Sequence, residues 1–273
     1  MRVVAITGAS AGIGRATALR LARTGGALAI CARRADRLAA VADEIRAAGG
    51  SAMTVVADVR RAEDMDRFVA AAVERFGRLD VMICNAGFGI AGAIDDIAPE
   101  QMRNLIDVNY MGTFFAARAA LRVFRQQGSE GLPGAGHIVI VSSIAGKRGV
   151  PYMAAYAATK FAQVGMAECL RSEVAGTDIH VSVVYPISTD TEFFDVMSRE
   201  TGTIVTRRGP RQHVSVVADA IARAIAHPVA EVYPHFPSRA LVWLNAFAPA
   251  LTDRVVKRFG RKPVRPERPP APA

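Results

Sequence analysis

YAATK, residues 156 to 160, sets a tyrosine and a lysine four positions apart. On a helix those positions lie one turn apart on the same face, so the Tyr156 phenol and the Lys160 ammonium can meet. A cation beside a phenol favours the phenolate and lowers its pKa, which makes a feeble acid usable for proton transfer. The same spacing also occurs in surface pairs that only support a helix. What this pair means depends on its surroundings.

A second cluster lies near the N-terminus. Gly8, Gly12 and Gly14 crowd into TGASAGIG (7–14), after a short apolar run and before a helical pattern. Glycines there allow a tight turn and let a pyrophosphate approach the main chain, while the helix N-terminus offers free N–H groups to the anion. The next apolar run ends in CARRADR, with Ala32 where an acid would hold the ribose 2′-hydroxyl of NAD(H), then Arg33 and Arg34. A guanidinium can fork onto a 2′-phosphate, so the run favours NADP(H) over NAD(H).

The elements that must position these groups are legible as alternating strands and helices. Apolar runs at 2–7, 27–32, 52–57, 79–84, 137–142 and 180–185 read as strands, and EVYP (231–234) as a seventh. Helical patterns fall between them at 13–24, 35–48, 61–76, 100–127 and 153–175, with another at 215–226. The strands are apolar on both faces, which predicts an α/β fold: a doubly wound, Rossmann-like parallel sheet of about seven strands, helices on both sides. Residues 1–235 read as one domain, and residues 236–273 as a helical, basic extension ending in a disordered Pro-rich tail, RPPAPA.

Composition limits the alternatives. The 273 residues are 51% hydrophobic, enough for one large core. The start, MRVVAITGAS, reads as a strand rather than a leader, and no run reaches the roughly 18 apolar residues of a membrane span. Cys31, Cys84 and Cys169 are scattered, and the five histidines show no ligand spacing. Reduced thiols in a cytoplasmic setting, and no metal, are therefore expected. The net charge of +9 gathers in RRGPR (207–211) and in 254–268 without a nucleic-acid motif, so no nucleic-acid partner is expected.

Taken in order, these features resemble the short-chain dehydrogenase/reductase family over about residues 1–235. TGASAGIG is similar to the family's TGxxxGxG cofactor loop, bringing Ser10 and Ile13 in with the glycines. The resemblance places Asp58 and Val59 against adenine, and Asn85, Ala86 and Gly87 beside the cofactor. Asn109 of DVNYMGTF matches the family's helix asparagine. Ser143, 13 residues before Tyr156, matches its serine in preference to Ser142. Pro186, Thr189 and Thr191 fall in the segment that follows the sixth strand, where Ile187 replaces the usual glycine. The resemblance implies a hydride transfer with Tyr156 as general acid or base, its pKa lowered by Lys160 together with the cationic nicotinamide of the oxidised cofactor, while Lys160 also binds the nicotinamide ribose. It further implies that Ser143 holds the substrate oxygen and that Asn109 anchors a water relaying protons through Lys160.

The segment after Pro186 forms a substrate lid in that family, and here Phe193, Phe194, Val196 and Met197 would favour an apolar carbonyl or alcohol substrate. An acyl-carrier-protein ketoreductase is the nearest alternative, with Arg207, Arg208 and Arg211 available to an acidic group. An idle cofactor sensor would lack one of the catalytic residues, and none is missing. Leu241, Leu244, Phe247 and Leu251 fall at helical spacing before basic residues, a pattern that can touch a membrane surface weakly, cover the active site or join subunits. A homo-dimer or homo-tetramer is implied by the family alone.

Overall fold

The first strands are almost pure aliphatic sequence because both of their faces are covered. In β1 (Val3–Thr7), Val3 and Ala5 belong to the core on one side of the sheet, and Val4 and Ile6 to the core on the other. A computed structural model of the chain describes residues 2–132, 136–205, 209–258 and 263. The strands follow as β2 (Ala27–Ala32), β3 (Ser51–Val56), β4 (Val81–Cys84), β5 (Gly136–Val141), β6 (Ile179–Val184), β7 (Ser188–Thr189), β8 (Arg211–Gln212) and β9 (Glu231–Val232). Seven of them form one parallel sheet in the order β3-β2-β1-β4-β5-β6-β9. EVYP thus supplies the seventh strand, as the sequence suggests.

Helices α1 (Gly12–Ala22), α2 (Ala35–Ala47) and, late in the chain, α8 (Val214–Ala226) cover one face. The other is covered by α3 (Ala62–Phe76), α5 (Gly112–Ser129) and α6 (Ala154–Glu173). Ala116, Ala119 and Ala120 bring α5 close to the sheet, and Phe124 beside them is fully buried. Truncating such a phenylalanine costs about 3–5 kcal/mol, because the cavity adds to the lost transfer energy.

Strand β3 departs from the expected pattern. None of its residues is fully buried, and Val56 faces solvent. An edge strand has a neighbour on one side only, so its outer end is left uncovered. The helix expected over 100–127 is also not continuous. It divides into α4 (Pro99–Ile106), a wide π turn at Asp107–Met111, and α5.

The strand order reverses between β1 and β4, so the chain leaves the sheet in opposite directions there and opens a crevice at the strand ends. The turn after β1, the segment after β4 and the loop after β5 all empty into it. Two further pieces roof it: α7 (Phe193–Thr201), and a hairpin of α9 (Ser238–Phe247) and α10 (Pro249–Val256) separated by Ala248. Pro249 starts a new helix, so Leu251 does not continue the spacing of Leu241, Leu244 and Phe247. No helix among the described residues is long and apolar enough to cross a membrane.

Candidate active site

The crevice is a cleft of about 1130 Å³. Arg33 and Arg34 line it after β2, and Ser143 lines it after β5. Those strands are three sheet spacings apart, roughly 14 Å, the reach of an extended two-part ligand.

The glycine turn is built for close approach. Gly8 has φ 65°, and a Cβ there would lie 2.8 Å from the Ala86 Cα. A Cβ on Gly14 would stand 2.6 Å from both the Asn85 side chain and the Gly8 carbonyl. Asn85 locks the turn by donating from Nδ2 to the carbonyls of Thr7 and Gly8, at 3.0 and 3.1 Å. The Thr7 hydroxyl accepts from the main-chain N–H groups of Asn85 and Ala86. At the start of α1 no side chain caps the helix, and Ser10, Gly12 and Ile13 face the cleft. Free N–H groups, a positive dipole end and a cradle that a Cβ would fill all fit a pyrophosphate.

Arg33 is exposed, whereas Arg34 reaches across the mouth. Its Nη2 donates to the Ser10 hydroxyl at 3.1 Å and to Glu192 at 2.8 Å. Arg37 donates to the other Glu192 oxygen at 2.8 Å. The Arg34 guanidinium, aided by Arg37, holds the Glu192 carboxyl below the usual carboxylate range. Asp58 and Val59 line the cleft nearby, with Asp58 gripped by Arg60, which lowers its pKa in the same way.

At the far end, Ser143, Tyr156 and Lys160 converge. Lys160 Nζ lies 5.6 Å from the centre of the Tyr156 ring. The Ser143 hydroxyl accepts from the Ala145 N–H at 3.1 Å and hydrogen-bonds the Tyr156 phenol. Ser142 donates instead to the Lys160 carbonyl, so Ser143 is the serine placed for chemistry. Burial pushes the Tyr156 phenol up to about 12, with the Ser143 hydrogen bond opposing it. Burial also pulls Lys160 down to about 7. In the protein alone, loss of water dominates both groups and moves each toward its neutral form.

Asn109 is fully buried in the π turn. Its Oδ1 accepts from the Phe88 N–H, and its Nδ2 donates to the Phe88 carbonyl and to Thr159 Oγ1. Its main-chain oxygen accepts from the Thr113 hydroxyl and from Gln163 Nε2, each at 2.7 Å. Gly87, Pro186, Thr189 and Thr191 also line the cleft, together with Ile187, the residue that replaces glycine.

The residues expected to form a substrate lid divide between the cleft and the core. Phe193 and Phe194 line the cleft, and Phe193 packs edge-on to Tyr156 with ring centres 5.6 Å apart. Met197 does not line it. It points inward, fully buried, at the place where a Cβ on Gly89 would be 2.3 Å from its methyl, so it anchors α7. Arg207 and Arg208 lie outside the described residues, as does the Pro-rich end from 264.

Several lining residues carry no signal in the sequence. Tyr152 borders the cleft with φ 65°, a strained angle for a bulky residue. Val255 and Val256 close it from the C-terminal hairpin, together with Leu241, which the sequence marks by its helical spacing. Arg148 pins that hairpin through Asn245, at 3.1 Å, and Asp253. Among the described residues no cluster of His, Cys, Asp or Glu is arranged for a metal, and the three cysteines are free.

Comparison with known proteins shows the family and the fold. The family model for short chain dehydrogenase matches residues 2–202. The chain is 33% identical to the uncharacterised oxidoreductase YxnA of Bacillus subtilis, over 99% of this chain and 76% of that protein. A short chain dehydrogenase/reductase of Burkholderia phymatum, solved with NAD, superposes with a TM-score of 0.81 at 26% identity, covering 92% of this chain and 94% of its own. An actinorhodin polyketide ketoreductase solved with NADPH gives 0.77 at 30% identity, over 85% and 95%.

Proposed function

The chain belongs to the short chain dehydrogenase family, and from that premise we propose an NADP(H)-dependent oxidoreductase that interconverts an apolar ketone and its secondary alcohol. The observation that carries this reading is the meeting of Ser143, Tyr156 and Lys160 at one end of a cleft whose other end holds the glycine turn, Arg33 and Arg34. A nicotinamide dinucleotide supplies or accepts the hydride when bound.

The chain's own residues do the rest. Gly8, Gly12 and Gly14 with the α1 N-terminus hold the pyrophosphate, and Asp58 and Val59 border the adenine. Asn85, Ala86 and Gly87 flank the cofactor, as do Pro186, Thr189 and Thr191. Arg33 and Arg34 take the 2′-phosphate that separates NADP(H) from NAD(H). Ser143 donates to the carbonyl oxygen and fixes its position. Tyr156 gives its proton to that oxygen in reduction and takes it back in oxidation. Lys160 supplies the positive charge that makes phenolate reachable. Phe193, Phe194, Leu241, Val255 and Val256 exclude water and favour an apolar substrate. Phe114 on α5 and Phe161 on α6 remain exposed, which supports a homo-oligomer joined through those helices.

The test is direct. NADPH and NADH are titrated side by side against protein fluorescence, followed by NADPH-dependent reduction of a panel of cyclic and aliphatic ketones. NADPH is expected to bind at least tenfold more tightly and to support turnover. Binding of neither nucleotide overturns the reading.

A further inference from the structure

Thr159 and Gln163 reach the π turn from α6, on the face of that helix that also carries Tyr156 and Lys160. Gln163 is fully buried and has its whole amide in use. Its Oε1 accepts from Lys160 Nζ at 3.1 Å, and its Nε2 donates to the Asn109 carbonyl at 2.7 Å and to Thr113 Oγ1 at 2.8 Å. The circuit closes on the other side, where Asn109 Nδ2 donates to Thr159 Oγ1, which donates to the Tyr156 carbonyl.

The π turn is what exposes this carbonyl to side chains. Gly112 N–H reaches back five residues to the Asp107 carbonyl, which widens the helix where α6 crosses it. The two side chains on the Asn109 main-chain oxygen fill both of its lone pairs. One of those two side chains, Gln163 of α6, also binds Lys160.

We propose that Gln163 is a positioning residue for the Tyr156–Lys160 pair, its amide holding Lys160 in place and favouring its charged form. This rests on the oxidoreductase reading for its meaning and on geometry for its evidence. An ammonium in a dry site needs acceptors, and Lys160 has two neutral ones, the Gln163 amide and the Val141 carbonyl at 3.0 Å. That leaves one N–H for the cleft, which Lys160 lines. The elements packed against it turn neutral groups toward it: the Val141 carbonyl from β5 and Gly87 after β4. Tyr156, on its own helix, is its titratable neighbour. Removing the Gln163 oxygen takes away half of the charge-assisted bonding that favours the ammonium.

The chain has four lysines, Lys147, Lys160, Lys257 and Lys262, so each is resolvable in a 13C-lysine NMR titration. Lys160 is assigned from its loss in Lys160→Met. In Gln163→Met the Lys160 midpoint is expected to fall by about one unit or more. Ketone reduction by NADPH should drop about tenfold or more in kcat, with little change in KM. Gln163→Leu repeats the test should the methionine variant not fold. A folded variant whose Lys160 midpoint matches wild type overturns the proposal, since a purely structural glutamine would alter thermal stability alone. The titration needs no substrate. Failure of the oxidoreductase reading would show separately, as absent turnover in wild type.

Discussion

Lys160 holds its ammonium 5.6 Å from the centre of the Tyr156 ring, and the two groups are buried together. Each is therefore displaced toward its neutral form, the phenol up to about 12 and the ammonium down to about 7. The pair is costly to bury, because neither charged form keeps the water that would stabilise it.

Tyr156→Phe removes the proton donor and keeps the ring that packs on Phe193. Ketone reduction should fall by about 10²–10⁴-fold while NADPH affinity changes little. Steady-state rates alongside fluorescence titration test this, and full activity in the variant would sink the mechanism.

Arg34 is the arginine tied to both Ser10 and the first residue before the lid helix, Glu192. Arg34→Ala should weaken NADPH by about tenfold or more and leave NADH nearly unchanged. Equal losses for both nucleotides would place the 2′-phosphate elsewhere.

The displaced pKa values set a pH dependence of stability. Lys160 falls from 10.5 to about 7 on folding, so between those values the unfolded chain holds a proton that the folded chain has released. Stability therefore rises with pH through that window, and below it the burial penalty is present in full. Tyr156 works the other way, costing stability as pH rises from 10 toward 12. The Tm of wild type relative to Lys160→Met is expected to rise between pH 7 and 10. A gap that does not vary with pH would show that Lys160 keeps its proton throughout.

Arg148 links the loop carrying Ser143 to the C-terminal hairpin through Asn245 and Asp253. Arg148→Ala should loosen that wall and raise KM for an apolar ketone severalfold, about threefold to tenfold, with NADPH affinity unchanged. An unchanged KM would mean that the hairpin does not confine the substrate.

Local pattern made much of this legible in the sequence. Aliphatic runs mark β1, β2, β4 and β5 because a doubly covered strand needs no polar face, and the glycine turn shows because a Cβ at Gly8 or Gly14 has nowhere to go. Tyr156 and Lys160 are visible through helical spacing, and Ser143 through the family resemblance, whose serine it matches. What escaped is decided by contacts between distant segments. Gln163 reads as one polar residue in an alanine-rich helix until the π turn comes to meet it. The π turn has no residue signature, Met197 looks like a lid residue until Gly89 makes room for it, and the β7–β8 pair joins two-residue strands that no periodicity can reveal.

The cleft is walled by parts of different standing. Its floor comes from strand ends within residues 2–202, the stretch shared across the family, while Leu241, Val255 and Val256 arrive from beyond it on a hairpin moored largely at Arg148. Such a division lets the reaction and the menu of molecules admitted to it evolve at separate rates. A lineage can exchange the roof without rebuilding the hearth beneath it.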